Sequence, residues 1–188
     1  MAHNGSGIRD TARVLGINKN TVISHLKKSN DLIYVNTTFL DKLPDEQTKI
    51  SLNHLDIDVC ISAEADEQWS FVQKKKNQRW LWYILEKTTR KVLAYVFGDR
   101  TDRTYKKLVS LMPQNVIDRL DTDDWGAYKR VKLAPIHRIG KDETWRIERK
   151  NLDLRTRIKR LARRTICFSK LEIMHNTGIG LFIMEYLF

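Results

Sequence analysis

The chain has 188 residues, of which 41% are hydrophobic and 30% charged, and it contains 5 Trp, 6 Tyr and 6 Phe against 8 Gly and 3 Pro. This composition supports a packed core and excludes disorder over the whole length, and no apolar run approaches the roughly 20 residues that cross a bilayer. Since residues 1–60 carry 7 charged residues of each sign, the whole net charge of +11 arises after residue 60. Such a one-sided basic field indicates a nucleic acid or another polyanion as partner.

The cysteines and the first residues indicate a reducing compartment. Cys60 and Cys167 are too far apart in the sequence for a disulfide framework or a zinc-ligand pair. The N-terminal residues contain no apolar stretch of the kind that a secretory signal needs. We therefore expect a cytoplasmic protein.

Residues 8–28 predict two short helices in a helix-turn-helix arrangement, although any short helical hairpin shares the pattern. Ala12 lets the helices approach, Gly16 permits a left-handed turn, and Asn18 caps a second helix whose Val22 packs back on the first. A second helix of this kind presents polar side chains to a DNA groove. The side chains in those positions are Lys19, Asn20, Ser24 and His25.

The two short helices bury too little apolar surface to be stable alone, and this suggests how the rest of the chain is organised around them. Two short helices usually lean on a third, so we expect support either from the following connector or from a further segment upstream, and we favour the upstream segment. Residues 31–57 are polar and are predicted to be a linker, with one short helix near residues 44–51. The predicted domains are a DNA-binding segment at 1–30, the linker, and a catalytic domain at 58–188.

Beyond residue 58 the pattern changes to alternating strands and helices. The predicted elements are strands at 59–72, 79–86 and 91–98, a helix at 101–112, a strand at 116–123, a short helix at 125–130, a strand at 135–140 and a long helix at 145–164. Three hairpin-connected strands followed by helix, strand, helix, strand and helix is the order of a ribonuclease-H-like fold. We therefore predict a mixed α/β domain with a five-stranded mixed sheet.

Three acidic residues stand where this fold can bring them together. Asp66 lies within the first strand, Asp123 lies where the fourth strand ends, and Glu148 borders the apolar stripe of the long helix. Each acid taken alone would be interpreted as a solvated carboxylate or a helix cap. Three converging carboxylates instead repel one another unless divalent cations neutralise them, and oxygen ligands suit Mg²⁺ or Mn²⁺. Two such ions activate a water or a 3′-hydroxyl in phosphodiester chemistry.

The long helix is strongly basic. Between residues 146 and 164 it carries 9 basic and 2 acidic residues, which indicates DNA contact beside the carboxylates or, more simply, a solvated face. The predicted DNA-contacting residues are Arg149, Lys150, Arg155, Arg157, Lys159 and Arg160. Among weaker candidates, Asp124 can assist Asp123, Trp125 can line the site, and His137 is expected to be a core or edge histidine.

Five motifs follow one another along the chain in a specific order. They are Asp66-Glu67-Gln68-Trp69, Asn77-Gln78-Arg79-Trp80-Leu81-Trp82-Tyr83, Thr122-Asp123-Asp124-Trp125, Arg146-Ile147-Glu148-Arg149 and Phe168-Ser169-Lys170. Together they resemble the catalytic domain of IS-one family insertion-sequence transposases, and residues 8–28 resemble that family's helix-turn-helix. The resemblance implies a D-D-E transposase whose triad is Asp66, Asp123 and Glu148, with two Mg²⁺ or Mn²⁺ ions. It also implies binding to terminal inverted repeats, cutting of the element's ends, joining to target DNA, and at least a dimer on DNA.

The chain departs from the family pattern at three points. Gln73 stands where glycine is expected, Leu171 stands where serine is expected, and the cysteine-bearing zinc-finger segment that usually precedes the helix-turn-helix is not in the sequence. The first hypothesis is a transposase that acts at the nucleoid. The second is a truncated, catalytically impaired relative that occupies element ends as a repressor. A ribonuclease-H-like nuclease with other substrates is disfavoured by the helix-turn-helix.

Overall fold

The computed structural model of the chain describes residues 6–28, 31–43, 50–52, 55–57, 61–140, 143–162, 164 and 166–188. Its helices and strands, in chain order, are α1 (Ile8–Leu15), α2 (Lys19–Lys28), α3 (Thr37–Leu40), β1 (Ile50–Leu52), β2 (Leu55–Ile57), β3 (Ser62–Phe71), β4 (Gln78–Glu86), β5 (Val92–Gly98), α4 (Asp102–Ser110), β6 (Arg119–Thr122), α5 (Gly126–Arg130), β7 (Ile136–Ile139), α6 (Trp145–Arg157) and α7 (Glu172–Tyr186). Within the described ranges, every helix is too short or too polar to cross a membrane.

Helices α1 and α2 form the predicted helical hairpin. Gly16 ends α1 in the left-handed conformation, with φ 65°, which glycine adopts without steric cost. Ala12 and Val22 are buried. The Asn18 side chain accepts a hydrogen bond from the Asn20 N–H at 2.8 Å, and this confirms the predicted cap of α2.

The segment predicted as a linker at 31–57 carries structure in its described parts. Val35 forms an antiparallel bridge with Ala94 of β5, and the Asn36 N–H donates to the Leu93 carbonyl at 2.8 Å. Leu32 is buried. Residues 32–36 therefore cover the outer edge of β5, and the short apolar run Leu32-Ile33-Tyr34-Val35 was the sequence signal for this contact.

The short helix predicted near residues 44–51 falls mostly outside the described residues. Where the structure describes this region, Ile50 and Ser51 belong to β1, which pairs antiparallel with β2. The prediction of a helix is therefore wrong for these two residues, since both are part of a two-stranded ladder.

The predicted five-stranded mixed sheet is present in the order β5-β4-β3-β6-β7. Strands β3, β4 and β5 pair antiparallel, whereas β6 and β7 continue the sheet parallel to β3. Strand β6 begins three residues later than predicted, because Asn115 adopts a left-handed turn with φ 62° and the Asp118 carboxylate accepts from the Ile61 N–H at 2.7 Å.

Helices cover both faces of the sheet and create two cores. On one face, Trp82 of β4 packs with Tyr105 of α4 and Tyr128 of α5. On the other, the alternate residues of β4 pack with α6 and α7, through side chains such as Ile147 and Phe182. Because β4 is buried on both faces, its sequence is a nearly continuous apolar run.

The long helix ends earlier than its basic run suggested. Helix α6 stops at Arg157, Ile158 takes an extended conformation, and a 3₁₀ turn follows at Lys159–Leu161. The prediction of a helix to residue 164 is therefore wrong. The change of direction buries Ile158 and Leu161 completely and carries Arg160 to Ser169, to which it donates at 2.9 Å.

Helix α7 was not predicted from the sequence. Its centre is buried nearly all round, including Ile179, Phe182 and Ile183, so it lacks the amphipathic period that identifies a surface helix. It packs in the same core as α6 and also carries His175, whose ring nitrogens contact Ser70 and Ser169 at 2.9 and 3.2 Å.

Candidate active site

Two of the predicted acids meet at the junction of β3 and β6. These strands are parallel neighbours, and Glu64 pairs with Asp121 in register. Because side chains two residues apart share a face of a strand, Asp66 and Asp123 lie beside each other one step further along. Both are half-buried, and the Trp125 N–H fixes Asp123 by donating to its Oδ1 at 3.0 Å.

Glu67 is the third acid of this cluster. One carboxylate oxygen from each of Asp66, Glu67 and Asp123 lies within 4.8 Å of the others, as in a metal site. Sequence reasoning noted Glu67 only as a neighbour of Asp66, because strand alternation directs it to the opposite face. The sequence signal for Glu67 was its place directly after Asp66 in the first of the five motifs.

Glu67 differs from the other two acids because cations and hydroxyls hold it. The Arg100 Nε donates to Glu67 at 2.7 Å, and the Tyr128 hydroxyl donates at 2.5 Å. The Arg100 guanidinium lies 5.1 Å from the ring centres of both Trp80 and Trp125. Glu67 is therefore tied to the loop that carries Asp123, through Trp125 and the α5 residue Tyr128.

Burial and mutual repulsion make the cluster electrostatically unusual. Burial, together with the neighbouring Glu67 and Asp123 carboxylates, raises the pKa of Asp66 from 3.8 to about 7. Burial also raises the pKa of Glu67. Over the described residues, no cation forms an ion pair with Asp66 or Asp123. The cluster therefore has an excess of negative charge that a divalent cation can neutralise.

Glu148 is not part of the cluster of three carboxylates in this structure. It lies exposed in the first turn of α6. Asn151 lies one turn further along the helix and donates to the Asp66 Oδ2 at 2.5 Å. Residues three apart are neighbours on a helix surface, so Glu148 lies one turn from the residue that contacts Asp66.

Buried polar contacts fix α6 against the sheet. Glu64 is fully buried and accepts from the Ile147 N–H at 2.7 Å and from Arg146 at 3.3 Å. The Tyr83 hydroxyl donates to the Asn151 side chain at 2.9 Å. The first two turns of α6 are thus held beside β3 before any ligand binds.

The predicted DNA-contacting residues of the hairpin lie on the surface. Lys19, Asn20, Ser24 and His25 are all exposed on α2. Ser24 directs its hydroxyl to the Thr21 carbonyl at 3.1 Å.

The predicted DNA-contacting residues around α6 divide into two groups. Arg149, Arg157 and Lys159 are exposed, and Arg157 pairs with Asp153 at 2.8 Å. The half-buried residues are Lys150, Arg155 and Arg160. Burial lowers the pKa of Lys150. Arg160 points into the protein, where it donates a hydrogen bond to Ser169. The helix period alone could not show that Arg160 lies beyond the end of the helix.

The weaker candidates have clear positions. Trp125, Arg100 and Asp123 line a cavity of about 630 Å³. Asp124 is exposed and pairs with Lys129. His137 lies on the edge strand β7 with its Nε2 2.8 Å from the Thr122 hydroxyl, as expected for an edge histidine.

Comparison with known proteins gives a consistent family. Residues 59–188 match the family model described as IS1 transposase, and residues 1–30 match the model described as InsA C-terminal domain. The insertion element iso-IS1n protein InsB of Shigella dysenteriae is 51% identical over 130 residues, which are 69% of this chain and 99% of that protein. The insertion element IS1 4 protein InsB of Escherichia coli strain K12 is 43% identical over 124 residues, 65% of this chain and 74% of that protein.

Among solved structures, a chain of the simian T-cell lymphotropic virus intasome in complex with PP2A regulatory subunit B56 gamma aligns with a TM-score of 0.39 and 11% identity. The alignment covers 67% of this chain and 49% of that chain. The family matches account for the mixed sheet, which is that of a ribonuclease-H-like fold. The chain belongs to the IS1 transposase family: it is an insertion-sequence DDE transposase that binds DNA and uses a divalent metal.

Proposed function

We propose that this transposase binds the terminal inverted repeats of its element, cuts the element's ends and joins them to target DNA, with Asp66, Asp123 and Glu148 as its catalytic carboxylates. The observation that carries the proposal is the close approach of Asp66 and Asp123 without a neutralising cation, beside the basic helix α6. A structural ion pair would have brought a cation with it, whereas phosphodiester chemistry needs this excess of acceptor oxygens.

The residues present fit a hard divalent cation. Asp66 and Asp123 offer carboxylate oxygens from two adjacent strands, and such ligands suit Mg²⁺ or Mn²⁺. When bound, two such ions supply charge neutralisation at the scissile phosphate and activation of a water or a 3′-hydroxyl. The raised pKa of Asp66 agrees with this role, because the group is held in a place where its charge is unfavourable without a cation.

Glu148 is proposed as the third ligand. Helix α6 is fixed by Glu64 and Asn151, so its first turn stands at the side of β3 where Asp66 lies. Asn151 donates to the Asp66 Oδ2 and the Glu67 N–H donates to its Oδ1 at 2.8 Å, which orients the carboxylate and leaves a second lone pair on each oxygen for the metal. Glu67, held by Arg100 and Tyr128, is assigned to positioning Asp66 and the Asp123 loop.

DNA contact is proposed to involve both predicted surfaces. Lys19, Asn20, Ser24 and His25 read the terminal repeat from α2, and Arg149, Lys150, Arg155, Arg157 and Lys159 hold its phosphates beside the carboxylates. Arg160 is left out of this set because it donates to Ser169. Joining two ends requires at least a dimer on DNA, and we place the reaction at the nucleoid.

The repressor hypothesis draws on the departures at Gln73 and Leu171. Gln73 adopts φ 64°, a conformation that glycine takes without strain, and Leu171 occupies the N-cap of α7 without a side-chain cap, where serine would supply one. Each departure costs local stability of about 1 kcal/mol. Neither residue belongs to the carboxylate cluster, so we favour the active enzyme.

The test is a Mn²⁺-dependent cleavage and joining assay on the element's own terminal DNA. We expect Asp123→Asn to abolish both reactions and to leave DNA binding nearly intact, because an amide is a poor metal ligand and the phosphate contacts lie elsewhere. Asp124→Asn is the matched control, since Asp124 is the exposed neighbour of Asp123. Glu148→Gln is compared in the same way with Asp153→Asn on α6. Equal losses in Asp123→Asn and Asp124→Asn, or loss of binding in parallel with cleavage, would contradict the assignment.

A further inference from the structure

Helix α4 carries a stripe of exposed cations. Arg103, Lys106, Lys107 and Ser110 follow the i, i+3, i+4, i+7 spacing of one helix face, and all four are exposed. We call them the α4 stripe. Like charges one turn apart destabilise a helix, so this arrangement is unfavourable for α4 unless an anion lies against it.

Nothing in the described part of the chain neutralises the α4 stripe. The acid of the same helix, Asp102, accepts two hydrogen bonds from Arg130, at 2.5 and 2.6 Å. Among the described residues, the three cations of the stripe make no ion pair with a carboxylate. Their charge is therefore available to an external partner.

The α4 stripe borders a groove. Its four residues line one cavity of about 480 Å³, and Lys107 and Ser110 also line a second, of about 360 Å³, which extends to Tyr34, Phe97 and Arg79. No acidic side chain of the described residues lines either cavity. Exposed basic side chains with aromatic side chains beside them suit a nucleic-acid backbone.

The α4 stripe lies on the other side of the sheet from α6, while the second cavity reaches Asn176 of α7. Helix α4 packs through Tyr105 and Leu108 into the core around Trp82, whereas α6 packs into the core on the opposite face. A duplex held by α6 therefore leaves the α4 groove uncovered. The groove is nevertheless close to the carboxylates along the chain, because Arg100, which contacts Glu67, precedes Arg103 by three residues.

We propose that the α4 groove binds the target DNA, separately from the surface around α6 that holds the element end. The inference rests on the proposed function, because joining brings two DNA molecules to one set of carboxylates. Two basic surfaces on opposite faces of the sheet that carries the carboxylates supply one surface for each molecule. Target contacts of this kind are made to phosphates and carry little sequence preference.

The experiment separates cleavage from joining in the full chain. The variant Arg103→Gln, Lys106→Gln, Lys107→Gln removes the three charges and keeps good helix formers. With pre-cut terminal DNA and a plasmid target, we expect joining to fall at least about tenfold, while cleavage of uncut ends stays within about twofold. The control variant Lys74→Gln, Lys75→Gln, Lys76→Gln removes three exposed charges from the turn after β3 and should change neither reaction.

A binding measurement makes the test independent of catalysis. Protein saturated with unlabelled terminal duplex is titrated with a labelled random-sequence duplex, and the slope of log affinity against log salt should fall by about 2 to 3 in the α4 variant alone. Equal losses of cleavage and joining, or no loss of joining and of second-duplex binding, would overturn the proposal. If the wild-type chain bound both duplexes but cut neither, the proposed function would be rejected. The binding of the second duplex would then still decide whether the α4 groove holds DNA. Lys107→Glu serves as the second variant if the triple variant does not fold.

Discussion

Two pairs of acids lie at β3 and β6 and differ in burial and in charge compensation. Glu64 and Asp121 form the inner pair, and Asp66 and Asp123, each two residues further along the chain, form the outer pair. Glu64 and Asp121 are fully buried, and cations surround them: Arg146 contacts Glu64, and Lys87 and Arg119 contact Asp121. Asp66 and Asp123 are only half-buried, yet no cation pairs with them in the part of the chain that the structure describes. The deeper pair is therefore the one that cations compensate, whereas the pair nearer the surface lacks a partner cation.

Under the proposed function, this difference separates structural carboxylates from metal-binding ones. Buried charges are normally paired, because an unpaired one costs far more than an ion pair returns. The inner pair obeys that rule and holds α6 and the strand ends in place. The outer pair does not follow this rule, because its carboxylates have no partner cation where the sheet opens to a cavity. Such uncompensated negative charge is what a metal-dependent site requires before its metal binds.

The largest effect is expected from neutralising the outer pair. Asp66→Asn should lower cleavage and joining by about a thousandfold or more, because a metal ligand is lost. Without metal at pH 8, the same variant should be more stable than the wild type, since the charge of Asp66 is unfavourable there. Thermal unfolding in EDTA, beside the cleavage assay, checks both. A destabilised Asp66→Asn protein would mean that the outer pair is structural after all.

Neutralising the inner pair should have the opposite result. Asp121→Asn leaves Lys87 and Arg119 with only the half-exposed Glu143 as a carboxylate partner, and breaking the buried pair costs about 3 kcal/mol where the cations retain some access to water. Urea denaturation measures the loss in the free energy of unfolding. Residual folded protein should still bind Mn²⁺ as the wild type does. If the variant kept its stability but lost metal affinity, the inner pair would belong to the metal site, and the distinction between the two pairs would be wrong.

The pH dependence sharpens the comparison at the outer pair. Asp66 has a pKa of about 7 in the folded protein against 3.8 ordinarily, so the metal-free fold loses stability as pH rises between these values. Metal binding must displace the same proton, and affinity for Mn²⁺ should therefore drop about fivefold between pH 7 and pH 6. Calorimetric titration at the two pH values checks this. Affinity that does not change over this range would show Asp66 ionised throughout.

The smallest effect is expected from a third kind of acid. Asp153 pairs with Arg157 on the exposed side of α6, and such surface pairs contribute about 0.3 to 0.5 kcal/mol. Asp153→Asn should therefore change the free energy of unfolding by no more than that amount, and raised salt should erase the difference. A larger, salt-resistant loss would place Asp153 among the buried pairs.

The sequence allowed the sheet and two of its acids to be anticipated, because strand alternation and the order of elements are local properties. Hydrophobic patterning assigned Asp66 and Asp123 to the first and fourth strands, and the ribonuclease-H-like order of elements predicted that these strands are neighbours. The role of Glu67 could not be anticipated, since it depends on Arg100 and Tyr128 reaching it from 33 and 61 residues away. The helical spacing of apolar residues also predicted that Glu148 lies on α6, but it could not predict the distance between its exposed carboxylate and the other acids.

The errors share a cause. The basic run after Arg157 resembles a continued helix, but the chain turns so that Ile158 and Leu161 enter the core. Helix α7 has no polar face to reveal its period. The segment around Val35 was interpreted as a linker because its apolar run is short and lies between polar stretches, although Tyr34 packs against Tyr95 and the Asn36 side chain donates to the Val92 carbonyl.

The docking of Leu32 limits how DNA can be read. Leu32 lies against Gly180 of α7, where even a methyl group on the glycine would meet its side chain at 2.8 Å. Only four residue steps separate it from Lys28 at the end of α2, a reach of about 14 Å when fully extended. That is less than half a helical turn of duplex, which repeats about every 34 Å. If α2 reads the terminal repeat as proposed, the base pairs that it contacts and the phosphate that is cut must keep a nearly constant spacing. Inserting half a helical turn between them is then expected to disable an end whose two parts are each intact.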